Sequence, residues 1–141
     1  SFAGTKKFRR AFSLDSDEGG NHKLNLDIHG NNNSVAGFQR NGAQSQYSGH
    51  TATLYIYAND NSLWVKQEND GAKTLNYTSR TDDNTGHIVQ MGSGSHTSTI
   101  NLTGTYPSTL NLLQDSSTNQ SYTLTQSCAT AGGCTITMTQ E

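Results

Sequence analysis

The chain has 141 residues, 30% of them hydrophobic and 14% charged, with a formal net charge of −2. That length allows one domain, but the apolar fraction lies well below the about 45–50% of ordinary globular domains, which excludes a conventional thick core. The sparse, balanced charge also excludes disorder driven by self-repulsion and a basic nucleic-acid footprint, and it offers little resistance to self-association.

Residues 1–21 come first and carry no repeat. Lys6, Lys7, Arg9 and Arg10 interleave there with Phe8 and Phe12. The segment reads as an arm anchored by Phe2, Phe8, Phe12 and Leu14, lying along the rest of the chain or pairing with another copy, or else as a tail. Its basic cluster attracts anionic polysaccharide or DNA, or is simply solvated. Ser1 does not begin a secretory signal, so a mature chain is expected. No apolar run approaches the roughly 18 residues of a membrane-crossing helix.

From residue 22 one pattern is written five times, in 22–39, 50–67, 73–90, 98–114 and 120–140. Each copy has four inward positions, a bend, and four more inward positions ending in glutamine. The copies read His22, Leu24, Leu26, Ile28 then Asn33, Val35, Gly37, Gln39; His50, Ala52, Leu54, Ile56 then Asn61, Leu63, Val65, Gln67; and Lys73, Leu75, Tyr77, Ser79 then Asn84, Gly86, Ile88, Gln90. The last two read Ser98, Ile100, Leu102, Gly104 then Ser108, Leu110, Leu112, Gln114; and Gln120, Tyr122, Leu124, Gln126 then Cys134, Ile136, Met138, Gln140. Inward residues recur every second position, the period of a half-buried strand, and no segment has the 3.6-residue pattern of a capped helix. The bends are rich in Asn, Asp, Gly or Pro, which tolerate or pre-set turn dihedrals.

Self-similarity at roughly 22–28 residues marks a stacked repeat whose units cannot bury their apolar face alone. Antiparallel hairpins in one sheet are one stacking scheme; one strand–turn–strand coil per rung is the other, and it explains more. It places Gln39, Gln67, Gln90, Gln114 and Gln140 in one column and Asn33, Asn61 and Asn84 in another. Buried amides are costly when unpaired, but identical amides about 4.8 Å apart donate to one neighbour and accept from the next. The expected fold is therefore all-β: a five-rung β-solenoid with two parallel in-register sheets facing each other in a cross-β arrangement. Lys73 would take an inward slot and carry its charge outward to water. His22 and His50 would share a column, either as rim residues open to water or as a pH-sensitive pair.

Cys128 and Cys134 flank a short Gly-containing loop that brings them within reach of a disulfide, suited to an oxidising, exported location; two free thiols are the alternative. No histidine nearby completes a zinc site. Gly92-Ser93-Gly94-Ser95-His96 does not fit a nucleophile elbow and falls in an expected bend. Asp82 and Asp83, or Asp15, Asp17 and Glu18, read as solvated acids rather than a metal site. No catalytic residue, metal or cofactor is expected, and the chain is not expected to be an enzyme.

The repeat resembles that of curlin, the subunit of curli amyloid fibres on bacterial surfaces. That family repeat runs Ser, five residues, Gln, four residues, Asn, five residues, Gln; the resemblance covers residues 22–140, with the spacing kept in the first three copies, one residue shorter at the bend of the fourth and longer in the fifth by the cysteine loop. The final Gln matches in all five copies, Asn matches at Asn33, Asn61 and Asn84, and the second-slot Gln at Gln126. The resemblance implies export as an unfolded chain through an outer-membrane pore, templated folding outside the cell, and a secretion-targeting role for residues 1–21. The expected function is thus a self-assembling extracellular subunit of a biofilm fibre. It would polymerise with itself by stacking the rung of Gln120, Tyr122, Leu124, Gln126, Ile136 and Met138 on that of His22, Leu24, Leu26 and Ile28. A nucleating subunit and matrix polysaccharide are further candidate partners; no specific nucleic acid is. No helix or charged, proline-bearing strand after Gln140 is read as a cap, so both end rungs are expected to be open. The alternative is a monomeric solenoid adhesin whose outward Tyr55, Tyr57 and Trp64 contact glycans.

Overall fold

Two-residue alternation dictates strands, and strands are the only regular elements in the computed structural model, which describes residues 8–15 (backbone), 22–25, 27–40, 49–69 and 71–141. Among these residues there is no helix, and so none long and apolar enough to cross a membrane. The strands are β1 (Phe8–Asp15), β2 (Lys23–Asn25), β3 (Asn33–Arg40), β4 (Thr51–Thr53), β5 (Ser62–Glu68), β6 (Lys73–Ser79), β7 (Thr85–Met91), β8 (His96–Gly104), β9 (Ser108–Asp115), β10 (Gln120–Cys128) and β11 (Cys134–Gln140). They form a six-stranded sheet, β1-β3-β5-β7-β9-β11, and a five-stranded sheet, β10-β8-β6-β4-β2. Every pairing is parallel. The chain alternates between the sheets, so the coils β2–β3, β4–β5, β6–β7, β8–β9 and β10–β11 stack as a β-solenoid.

The two inner faces enclose a thin apolar layer. Val35, Leu63, Val65, Ile88, Leu110 and Leu112 of the larger sheet pack in one cluster with Ala52, Leu75, Tyr77, Ile100 and Leu102 of the smaller. Sizes are complementary within a coil. Tyr77 is the largest fully buried side chain, and Gly86 leaves it room: a Cβ there would lie 3.5 Å from the Tyr77 ring and 2.8 Å from Leu63 Cδ1.

The first three bends share a backbone device. Asn32, Asp60 and Asp83, each just before the column asparagine, adopt φ of 57°, 59° and 63°. Asn and Asp enter this left-handed region more readily than other non-glycine residues, which accounts for their recurrence.

The structure departs from the sequence expectations at several points. In the fourth coil β8 begins at His96, two residues earlier than expected, and His96 pairs with Lys73 and Gln120 while Ser98 pairs with Leu75 and Tyr122. The inward slots are therefore His96, Ser98, Ile100 and Leu102, and Gly104 lies beyond them opposite Cys128. Only residues 92–95 remain for the bend, because the buried imidazole sustains the strand where its Gly-Ser neighbours read as loop. Lys73 is fully buried and does not reach water. His50 is likewise buried rather than open at the rim. In the second copy the strand stops at Thr53, since Ile56 and Tyr57 take φ of 49° and 35°, although Leu54 and Ile56 still fill the core. Residues 8–15, ahead of the repeats, add β1 to the larger sheet, so at that end only the smaller sheet terminates in a repeat strand. Leu26, Phe2, Lys6, Lys7, Asp17 and Glu18 lie outside the described residues.

Candidate assembly interface

The glutamine column forms because every copy places its last inward residue at the same register. Gln39 pairs with Gln67, Gln67 with Gln90, Gln90 with Gln114, and Gln114 with Gln140. Each side chain donates to the next: Gln39 Nε2 to Gln67 Oε1 (2.7 Å), Gln67 to Gln90 (2.8 Å), Gln90 to Gln114 (2.9 Å) and Gln114 to Gln140 (2.7 Å). The same Nε2 groups reach across to backbone carbonyls of the smaller sheet, at Lys23, Thr51, Thr74, Thr97 and Ser121. The column is thus a clamp between sheets as well as a ladder along the stack. Its bonds all point one way. At the β11 end it closes on a donor, Gln140 Nε2; at the β3 end it closes on an acceptor, Gln39 Oε1, buried and with no hydrogen-bond partner among the described residues.

The asparagine column keeps the expected amide-to-amide bond at one step, Asn61 Nδ2 to Asn33 Oδ1 (3.2 Å), and adds another kind of bond throughout. Each Oδ1 accepts a backbone N–H from the next coil: Asn33 from Asn61 (3.0 Å), Asn61 from Asn84 (2.9 Å), and Asn84 from Ser108 (2.6 Å). Ser108 then continues the register in place of a fourth asparagine. A second ladder, missed in the sequence, runs along the bends: Asn31 N–H donates to Asn59 Oδ1 and Asn59 N–H to Asp82 Oδ1, each at 2.8 Å. Its signal was a shared offset, two residues before each column asparagine.

At the other end of each coil a third column contains His22, His50, Lys73, His96 and Gln120. His50 Nε2 contacts the Arg40 carbonyl (3.0 Å) and must carry the proton, while Nδ1 accepts the Lys73 N–H (3.1 Å). His96 repeats this with the Met91 carbonyl (2.7 Å) and the Gln120 N–H (3.3 Å). Both rings are therefore neutral. Burial pushes His50 down to about 4 and also lowers His96, with the Lys73 charge acting in the same sense. His22 stacks on His50 at 5.0 Å and accepts its backbone N–H. Between them and His96, the Lys73 ammonium donates to the carbonyls of Gly71 (2.8 Å), Gly92 (2.9 Å) and Gly94 (2.7 Å), exchanging hydration for three dipoles.

The two ends differ. At the C-terminal coil, Tyr122, Leu124, Ile136 and Met138 are only partly buried, because β10 and β11 are the outermost strands of their sheets. Gln120 opens that coil, and Gln126 occupies its fourth inward slot in register with Leu102. Cys128 and Cys134 are disulfide-bonded across its bend, with a Cα–Cα distance of 5.8 Å. At the other end Leu24 of the smaller sheet and Ile28, just beyond β2, are partly exposed, whereas Asn33, Val35 and Gln39 of the larger are buried under β1.

The outer surface has its own contacts. Trp64 stacks on His87 (4.8 Å) and meets Phe38 edge-on (6.2 Å), while Tyr55, Tyr57 and His29 cluster near Asp27. Among the described residues no three His, Cys, Asp or Glu side chains gather to hold a metal. No family model, curated protein or solved structure matches the chain.

Proposed function

We propose that the chain is a self-assembling structural subunit of a curli-like functional amyloid fibre, exported to the bacterial cell surface and polymerising head to tail by rung stacking. The observation that carries this reading is the C-terminal coil. Both of its strands are sheet edges with half-buried inward apolar residues, and their register is that of every coil before them. A second copy's first coil continues both ladders there with the bonds already used inside one molecule. The two ends are different surfaces, so the contact is heterologous and generates an open filament. Low net charge leaves little repulsion to oppose it. The disulfide suits an oxidising compartment. An outer-membrane pore, a nucleating subunit and matrix polysaccharide are the partners this reading brings with it.

Seeded assembly tests it. Purified chain should form fibres with a roughly 4.8 Å meridional reflection, and Ile136→Pro, which removes a ladder donor from β11, should slow elongation. Protein that stays monomeric for days at tens of micromolar, without that reflection and without response to seeds, both as wild type and with β1 unseated by proline, overturns the proposal. The second reading, a monomeric glycan-binding adhesin, draws on the outward cluster of Trp64, Tyr55 and Tyr57. Those rings are largely engaged with one another and with His87 and His29, which favours a packing role.

A further inference from the structure

We infer that the face of β3 now covered by β1 is the docking surface for β11 of a second copy, and that β1 is a resident strand that must leave before two copies join. This rests on the fibre reading above and specifies which surface, and which event, controls it. The first observation is the orphaned Gln39 Oε1. Gln67, Gln90, Gln114 and Gln140 each accept a neighbour's amide at this atom; Gln39 alone in the column does not, although it is fully buried. The residue of β1 in register with Gln39 is Leu14, which has no amide to give. Phe8 likewise stands opposite Asn33, where the repeat would place Asn, Ser or Cys. β1 thus supplies backbone pairing to β3 without continuing its columns.

The matching group sits at the opposite end of the molecule. Gln140 Nε2 donates to Ser121 O at an exposed site, and the column's polarity aims it at the next acceptor along the stack. In the common register β11 on β3 sets Gln140 on Gln39, Ile136 on Val35 and Cys134 on Asn33, while β10 on β2 sets Tyr122 on Leu24. The half-buried residues of both ends would then cover one another. Strand arithmetic agrees. With β1 seated the sheets hold six and five strands and end unevenly; without it both end on the single coil β2–β3, the shape the coil β10–β11 fits. The occupant of this surface is therefore a second copy of the chain, and β1 is its imperfect stand-in.

Two full-length variants test the exchange in opposite directions, read as lag time and seeded elongation. Leu14→Gln gives Gln39 the missing donor, seats β1 more firmly and should slow elongation at least about fivefold. Ala11→Pro/Phe12→Pro unseats β1: successive N–H groups of a strand alternate sides, so one of the two prolines removes a donor facing β3. It should shorten the lag. Wild-type fibres with both variants growing at the wild-type rate, or slowed growth of the proline variant, would overturn the displacement while leaving the fibre reading intact. Silence from wild type with assembly of the proline variant would support it. Silence from both would remove the fibre reading itself, and this inference with it.

Discussion

At the residue scale, the chain uses buried polar groups where an ordinary domain of its size would use apolar ones. Gln90 shows why this is tolerable: its amide donates to Gln114, Thr74 and Ser98, and its carbonyl accepts from Gln67. Gln90→Leu keeps the volume but breaks the column on both sides, and buried groups left unpaired cost about 1–3 kcal/mol each. A loss of about 3 kcal/mol in urea denaturation is expected, against a clearly smaller loss for Gln140→Leu at the exposed end. The histidine column adds a pH response. His50 and His96 are held neutral with values below the usual 6.5, His50 at about 4. The unfolded chain therefore binds protons first as pH falls, and stability that is complete above pH 6.5 drains away between about 6.5 and 4. The thermal midpoint should drop across that window and be flat from pH 7 to 8. His50→Gln, which copies the residue at position 120 in the same column, should flatten the drop.

At the element scale, the bends decide where one strand stops and the next starts. Asp83 sits at φ 63° with an exposed side chain, its N–H donating to the Asn59 carbonyl. What its position demands is backbone conformation rather than charge. A β-branched residue there meets its own carbonyl, at about 1–2 kcal/mol, whereas glycine does not. Asp83→Val should therefore lower stability by about that amount, while Asp83→Gly leaves it unchanged within a few tenths of a kcal/mol. Equal losses for both would mean that the carboxylate, not the dihedral, is what the bend needs.

At the scale of the whole molecule, the solenoid was legible because its stacking rule is written in side chains that cannot be explained singly. A terminal glutamine repeated in every copy, always in phase with the apolar alternation, has few other uses. What escaped the sequence shares a physical cause as well. Lys73 reads as solvent-seeking until the carbonyls of Gly71, Gly92 and Gly94, from two successive bends, are brought around it. His96 follows a Gly-Ser run, and composition alone ends the bend too late. β1 lacks the repeat altogether, since Leu14 and Phe8 stand where Gln and Asn would announce it. Each miss is a residue whose role exists only between coils. That dependence gives a direct test of the architecture, because stability in a stacked repeat is a sum of unit and nearest-neighbour terms. Deleting residues 73–95 removes one coil and joins Ala72 to His96, whose N–H already bonds the Ala72 carbonyl. It brings Gln67 under Gln114, Asn61 under Ser108 and His50 under His96, and it takes Lys73 away together with the carbonyls of Gly92 and Gly94. The shortened chain should fold with an unchanged β-type circular dichroism spectrum, a lower urea midpoint, and an m-value reduced by about a fifth in proportion to the surface it buries. Collapse of the whole molecule on losing one interior coil would contradict a linear stack, whereas survival with every column re-registered would follow only from one.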